Sequence, residues 1–291
     1  MGKGFAQFLL AQGEAEVREV VPHRTAQYRR RGRTQDKTDT ADALAMARLL
    51  GAEGDGLPLV HADDASTELR LLSDHRDNLI ADRTRLINQL HAQMLQRDPR
   101  YEERSGPLTQ AADVRFCQEY DPLHADALVR TRLLIVRQLA TRIAALTTAI
   151  AALTALLGQR VAALGTPLLQ LRGVGPVVAA RLLGELGGTL RVHSAAALAG
   201  IAPVAVASGN RHGHRVNFGG NRQRNRAIHS IALTRRRCEP LAQAYYAKKR
   251  AEGKTARAAM RCLKRRLVDV LYRLCYARPG ESPQPVATIA A

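Results

Sequence analysis

The chain has 291 residues, of which 46% are hydrophobic, enough to bury a real core and to exclude a globally disordered protein. Only 4% are aromatic and none is Trp, which argues against a reader that stacks bases on several aromatic platforms. The net charge of +18 points instead to polyanions gripped through their phosphates.

Cys117, Cys238, Cys262 and Cys275 form no CxxC pair and have no zinc-finger spacing with histidine, so they read as reduced cytosolic thiols. The apolar run after Met1 meets Glu14 and Glu16 at once, unlike a signal peptide. The longest uncharged run, Ile143 to Gln159, is short for a membrane span and broken by three threonines. A cytoplasmic protein without a membrane anchor is expected.

In chain order, FAQFLLAQG predicts a helix ended by Gly13, and VREVVP a strand closed by Pro22. A basic loop (Arg29, Arg30, Arg31, Arg33) leads into the helical KTDTADALAMARLL. Asp39 and Asp42, three apart on its first turn, share a face. Leu69, Leu72, Leu79, Leu86, Leu90 and Met94 mark a long helix, although Arg76 and Arg83 interrupt a strict heptad. Val136, Leu139, Ile143, Leu146, Ile150, Leu153 and Leu157 form a cleaner a/d seam, that of a coiled coil. Residues 98–122, with Pro99, Gly106, Pro107 and Pro122, read as a loop or insertion. An antiparallel hairpin results, self-packed or used to dimerise; a plain core helix in a bundle is the other reading.

The last part begins near Thr166. LLQLRGVGPVVAARLLGELGG predicts helix, tight turn, helix, and AALAGIAPVAVASG followed by HRVNFGG short extended pieces with Gly/Asn turns. A basic amphipathic helix starts at Asn221, with Ile228, Ile231 and Ala232 inside. A second covers Ala256 to Tyr276, and the tail from residue 279 reads as disordered. From Ser208 to Arg273 there are 18 lysines and arginines against 3 acids, a local net of +15, so most of the excess forms one field.

Three features could carry chemistry. Gly173 and Gly175 of the GVGP turn let the backbone approach a phosphate, in the manner of a helix-hairpin-helix clamp; an ordinary helical turn is the alternative. Asp39 and Asp42 offer oxygen ligands of the kind Mg²⁺ prefers, though acids at a helix start also serve as caps. Ser208, before a glycine in a basic turn with His212 and His214, has the surroundings of a phosphodiester nucleophile and also those of a plain Ser-Gly turn. The cations expected on nucleic acid are Arg211, Arg215, Arg222, Arg224, Arg226, Arg235, Arg236 and Arg237.

Taken together, KTDTADALAMAR (Lys37 to Arg48), LRGVGPVVAARLLGELG (Leu171 to Gly187) and ALAGIAPVAVASGNRHGHRVNFGGNRQRNRAIHSIAL (Ala197 to Leu233) resemble the insertion sequence one-ten family of transposases. The resemblance runs from Met1 to about Tyr276. It implies a RuvC-like (RNase H-like) DEDD domain, a coiled-coil linker and a C-terminal transposase domain. It further implies Mg²⁺-dependent cutting and rejoining of DNA by an oligomer directed by a bridge RNA. Asp39 and Asp42 would match the last two DEDD acids, and Ser208 the serine that links covalently to DNA. The family's first Asp and its Glu precede the segment matched by GFAQFLLAQG, so the chain reads as an N-terminally truncated member.

The expected fold is mainly α with a small α/β part. Its divisions are 1–60 (RuvC-like fragment), 61–165 (helical linker), 166–278 (transposase domain with helix-hairpin-helix) and 279–291 (tail). A non-catalytic DNA- or RNA-binding protein is the alternative function.

Overall fold

The computed structural model describes residues 2–14, 16–20, 22–30, 38–57, 59–121, 126–186, 204–208, 211–215 and 221–276. The chain divides into two units, Met1–Glu68 with Leu186–Ser194, and Leu69–Glu185 with Ala195–Ala291.

In the first unit, α1 (Gly2–Ala11) stops where Gly13 takes φ 93°, a left-handed value that costs glycine nothing. Gln7 then ties α1 to the segment before α4, donating to the His61 carbonyl (2.9 Å) and accepting from the Asp63 amide (3.3 Å). The expected VREVV strand is corrected. Among the described residues it amounts to one isolated bridge, Arg18 to Leu59, because Val17 and Val60 share a single further backbone bond of 2.7 Å. Pro22 does not close a strand but opens α2 (Pro22–Arg30), where its missing N–H loses no helical bond. Arg29 and Arg30 therefore belong to a helix; Arg31 and Arg33 lie outside the described residues.

The next helix, α3 (Asp39–Glu53), forms as expected, with the Thr38 hydroxyl accepting from the Ala41 amide at 3.2 Å. Arg24 pairs with Glu53, and the Tyr28 hydroxyl donates to the same carboxylate at 2.6 Å, joining α2 to α3. The unit's buried apolar side chains among the described residues are Ala45, Leu49 and Leu57, while Phe5, Phe8, Leu44, Met46 and Leu50 stay exposed.

In the second unit, the two long helices are α4 (Ala65–Arg97) and α7 (Ala127–Ala163). They run antiparallel: Leu69 shares a core with Leu157 and Val161, and Leu90 and Met94 share another with Val136 and Leu139. The expected a/d seam is the buried one, with Val136, Leu139, Ile143, Ile150 and Leu157 inside. Arg76, which breaks the heptad on α4, donates to the Thr154 hydroxyl of α7 at 2.8 Å, so the irregular position becomes a cross-helix hydrogen bond. By length and composition alone α7 could cross a membrane; here its seam faces protein.

Residues 98–121 are not the plain loop expected. They fold as α5 (Glu102–Ser105) and α6 (Ala111–Glu119) over the end of the hairpin. Tyr101, Leu108, Val114 and Cys117 are buried there against Leu86, Leu90, Met94 and Ile143. Asp113 caps α6 by accepting from the Thr109 and Gln110 amides at 3.0 Å each. The prolines and glycines suggested a loop, but the apolar residues between them repeat at helical spacing.

Burial, then the charge of Glu102, pushes the Tyr101 phenol from 10.0 up to about 12. Burial, then Asp113, pushes the Cys117 thiol from 9.0 up to about 11. Both pKa values are raised on folding, so the neutral forms contribute stability that is complete below pH 9 and lost as pH rises through about 12. The urea midpoint of the full chain should therefore fall steeply between those limits. In Tyr101→Phe that fall should shrink; an unchanged pH profile in the variant would contradict this origin.

The C-terminal part begins with a 3₁₀ turn at Pro167–Gln170 where a full helix was expected, followed by α8 (Pro176–Leu186). Of the expected extended pieces, AALAGIAPVAVASG holds β1 (Val204–Ser208), while its antiparallel partner β2 (Arg211–Arg215) begins three residues before the expected HRVNFGG, whose residues 216–220 lie outside the described ones. Then come α9 (Arg222–Cys238), α10 (Pro240–Ala251) and α11 (Ala256–Tyr276), the last with the expected bounds. Their core joins Ile228, Ile231 and Ala232 to Leu263, Leu267 and Leu271, and to Leu168 and Val174. The tail, residues 279–291, lies outside the described residues.

Candidate nucleic-acid interface

The GVGP turn sits directly on α9. Gly173 has φ 92°, and a Cβ there would meet Thr234 Cβ at 3.3 Å and the Ile231 carbonyl at 3.4 Å. Its φ and the helix packed against it therefore both require glycine at 173. Gly175 differs: open space lies where its side chain would be, and its carbonyl accepts the Ala179 amide at 2.9 Å at the start of α8. Of the two glycines, Gly175 leaves room for a phosphate at a helix N-terminus. Arg172 reaches from this turn to the Cys238 carbonyl at 2.9 Å, holding it to the far end of α9.

Ser208 is the last residue of β1 and pairs in register with Arg211; His212 and His214 pair with Ala207 and Ala205, and Arg215 with Val204. Two residues separate the strands. The hairpin therefore places the serine at its tip, opposite the first of two arginines on β2.

Asn221 opens α9, its side-chain Oδ1 accepting from the Arg224 amide at 2.9 Å. Arg222, Arg226 and Arg237 are exposed along this helix, as expected of phosphate contacts. Arg224 and Arg235 are corrected: they are 5% and 4% exposed. The reason is helical period. Positions 224, 228, 231 and 235 fall on one stripe, the same that buries Ile228 and Ile231. Arg235 pairs with Glu239 on that face. Arg236 lies half-buried, its guanidinium 5.2 Å from the centre of the Tyr246 ring on α10.

One cluster escaped sequence reasoning. Arg181 of α8 is buried and pairs with Asp74 and with Asp77, at 2.8 Å for the latter, and donates to the Ser73 carbonyl at 2.9 Å. Glu185, one turn on, lies 3.8 Å from the same guanidinium and accepts from the Asn221 side chain at 2.6 Å. A chain of contacts thus runs from α4 through α8 to the cap of α9, which follows the serine hairpin. The signal was Asp74 and Asp77, three apart on α4, but nothing local says which arginine they meet.

In the first unit, Asp39 and Asp42 share the first turn of α3 as expected, with Asp39 exposed. Asp42 is ion-paired to Arg29 of α2. Among the described residues no group of three or more His, Cys, Asp or Glu is arranged to hold a metal ion. The pair as it stands is not a complete Mg²⁺ site, because one carboxylate is already neutralised and an octahedral ion wants more oxygen ligands.

Comparison with known proteins gives the class. A DEDD-type transposase model of IS110 elements matches residues 2–99, and the model "Transposase IS116/IS110/IS902 family" matches residues 165–247. The 44.8 kDa protein of insertion element IS116 from Streptomyces clavuligerus is 29% identical over 97% of this chain and 82% of its own length. The 42 kDa protein of insertion element IS900 from Mycobacterium paratuberculosis is 28% identical over 94% of this chain and 78% of its own. The 43.6 kDa protein of IS110 from Streptomyces coelicolor is 37% identical over 37% of this chain and 27% of its own. The matching models and relatives are those of insertion-sequence transposases. The chain belongs to the IS116/IS110/IS902 transposase family.

Proposed function

We propose that the chain transfers DNA strands through Ser208, with its C-terminal basic helices holding the DNA backbone. The observation that carries this reading is the placement of Ser208 at the tip of the β1–β2 hairpin, within the segment matched by the transposase family. Attack of the serine Oγ on a phosphodiester would exchange one P–O bond to a sugar for one P–Oγ bond and free a sugar hydroxyl. Attack by a second hydroxyl would reverse the exchange and rejoin DNA. Exposed Arg222, Arg226 and Arg237, with Gly175 at the start of α8, are the proposed backbone contacts; Arg211 lies opposite Ser208 on β2, and Arg215 at the other end of that strand.

The first unit is proposed as the RuvC-like part, and the GVGP turn with α8 as a helix-hairpin-helix. Asp39 and Asp42 are the carboxylates proposed for Mg²⁺. Binding an ion there requires Arg29 to release Asp42, so the step above is assigned to Ser208 alone. A guide RNA and a homo-oligomer complete the reading. Exposed Leu128, Leu134 and Ile135 on α7 support the oligomer, and the net charge of +18 suits two nucleic acids. We place the protein in the cytoplasm, beside its DNA. A second reading, a non-catalytic DNA- or RNA-binding protein, is favoured by the Asp42–Arg29 pair.

The test is capture of a covalent protein–DNA adduct on a family insertion-sequence end. The wild-type chain is expected to form it, and Ser208→Ala to lose it while keeping DNA affinity. An adduct that survives in Ser208→Ala would remove the serine from this role; DNA binding with no adduct from either chain would favour the second reading.

A further inference from the structure

Between α9 and α11 lies a concentration of positive charge that includes none of the individual backbone contacts proposed above. Lys264 of α11 is 8% exposed, an unusual place for an ammonium group. Its contact across the groove is the Asn225 side-chain oxygen of α9, a neutral acceptor. Arg261 precedes it by one turn on α11. On α9, Asn225, His229 and Arg236 fall at i, i+4 and i+11, which keeps them on one side of the helix, and the Arg236 guanidinium is fixed over Tyr246. Among the described residues no acid forms an ion pair with Arg236, Arg261 or Lys264. Of the three acids between Ser208 and Arg273, Glu239 pairs with Arg235 and Glu252 with Lys249 and Lys254, and Asp269 is exposed further along α11.

Burial, then the charge of Arg261, holds the Lys264 ammonium below its ordinary pKa. Partial desolvation, then the charges of Lys264 and Arg236, does the same to His229, which stays exposed. Like charges gathered without a counter-ion destabilise the free protein, and an anion entering the groove would relieve them. A carboxylate could have been supplied by the chain at little cost. Among the described residues none pairs with Arg236, Arg261 or Lys264, which leaves their charge for a ligand's phosphate to meet.

We propose that His229, Arg236, Arg261 and Lys264 form a binding site for one backbone phosphate of duplex DNA, at the groove between α9 and α11. This rests on the DNA-binding reading above and deepens it by naming a contact outside the serine hairpin. Tyr246 holds Arg236 in place, and the Lys264 to Asn225 bond ties α11 to α9 at the site. Exposed Arg257 and Arg265, on the same helix as Arg261, extend the field along α11 to the neighbouring phosphates.

A residue kept for binding against its own stability gives opposite effects in two measurements. In the full chain, Lys264→Gln keeps a donor for Asn225 and removes the charge. Its melting temperature without DNA is expected to rise, by about 2 to 4 °C. Its affinity for duplex DNA is expected to fall about tenfold, and the slope of log affinity against log salt to become shallower by about one phosphate. His229→Ala, a change at an exposed position, should weaken binding in the same direction without lowering the melting temperature. Wild-type binding to DNA with unchanged affinity and salt slope in Lys264→Gln would overturn the site and leave the broader reading standing. A fall in melting temperature with Lys264→Gln would make Lys264 a structural residue and overturn it too. Loss confined to an RNA duplex of the same sequence, with DNA binding intact, would contradict the assignment to DNA. If the wild-type chain itself does not bind duplex DNA, the DNA-binding reading falls and this site with it.

Discussion

Replacing Arg181 with Met should lower the stability of the second unit by about 3 kcal/mol, the lower end of what is lost when one partner of a buried ion pair is removed. The guanidinium is buried and serves Asp74, Asp77, Glu185 and the Ser73 carbonyl at once. Without it Glu185, itself 9% exposed in its side chain, keeps its charge with only the Asn221 amide for company. Asp74 is about half exposed and can turn to water, which is why the estimate stays at the lower end. Urea unfolding of the full chain measures the loss. Adding Glu185→Gln to the variant should restore part of it, because the buried unpaired charge is then gone, whereas Asp77 keeps Arg226 at 3.8 Å. A single-variant loss below about 1 kcal/mol would mean that the cluster is solvated and holds nothing together.

Gly184→Ala should also be strongly destabilising, against what helix propensity alone predicts. In the interior of an exposed helix that change stabilises by about 1 kcal/mol. Here a Cβ would lie 2.7 Å from the Arg70 amide nitrogen and 2.9 Å from its Cα, and backbone atoms cannot swing aside as a flexible side chain can. Separating α8 from α4 disturbs the packing of Leu69 against Leu182 and strains the Arg181 cluster in the next turn. Overpacking of this kind costs about 1 to 3 kcal/mol or more. The steric cost exceeds the propensity gain, and a net loss of about 2 kcal/mol is expected in urea unfolding. An increase in stability would show that α8 and α4 can part at this point without loss.

These two sites lie where sequence reading stopped. Arg181, Asp74 and Asp77 are ordinary charged residues at helical spacing, and each would serve equally well on a solvated face. Their meeting depends on where α8 crosses α4, a long-range event with no local code. Gly184 is the same case, since an isolated glycine in a helical stretch says that something comes close but not what. Arg224 and Arg235 show the converse error. Read as charge they belonged to the DNA face; read as period they fall on the stripe of Ile228 and Ile231, and the structure follows the period. Lys264 was counted only as one more cation, because burial of a charge is invisible until the helix that covers it is placed.

What the sequence by itself determined follows from local rules. The 3.5-residue seam set the two long helices and their antiparallel return, Thr38 and Asn221 set the starts of α3 and α9, and the spacing of three put Asp39 and Asp42 on one turn. The extended piece that ends at Ser208 and the bounds of α11 were equally legible. Tertiary structure alone decided which of those residues are available. It gave Asp42 to Arg29, Gly173 to the packing of Thr234, and Arg235 to Glu239, while leaving Arg236, Arg261 and Lys264 without an acid among the described residues. The reason is physical: backbone preference and hydrophobic period act over a few neighbouring residues. The partner of a charge is fixed by elements that meet only after the core has closed.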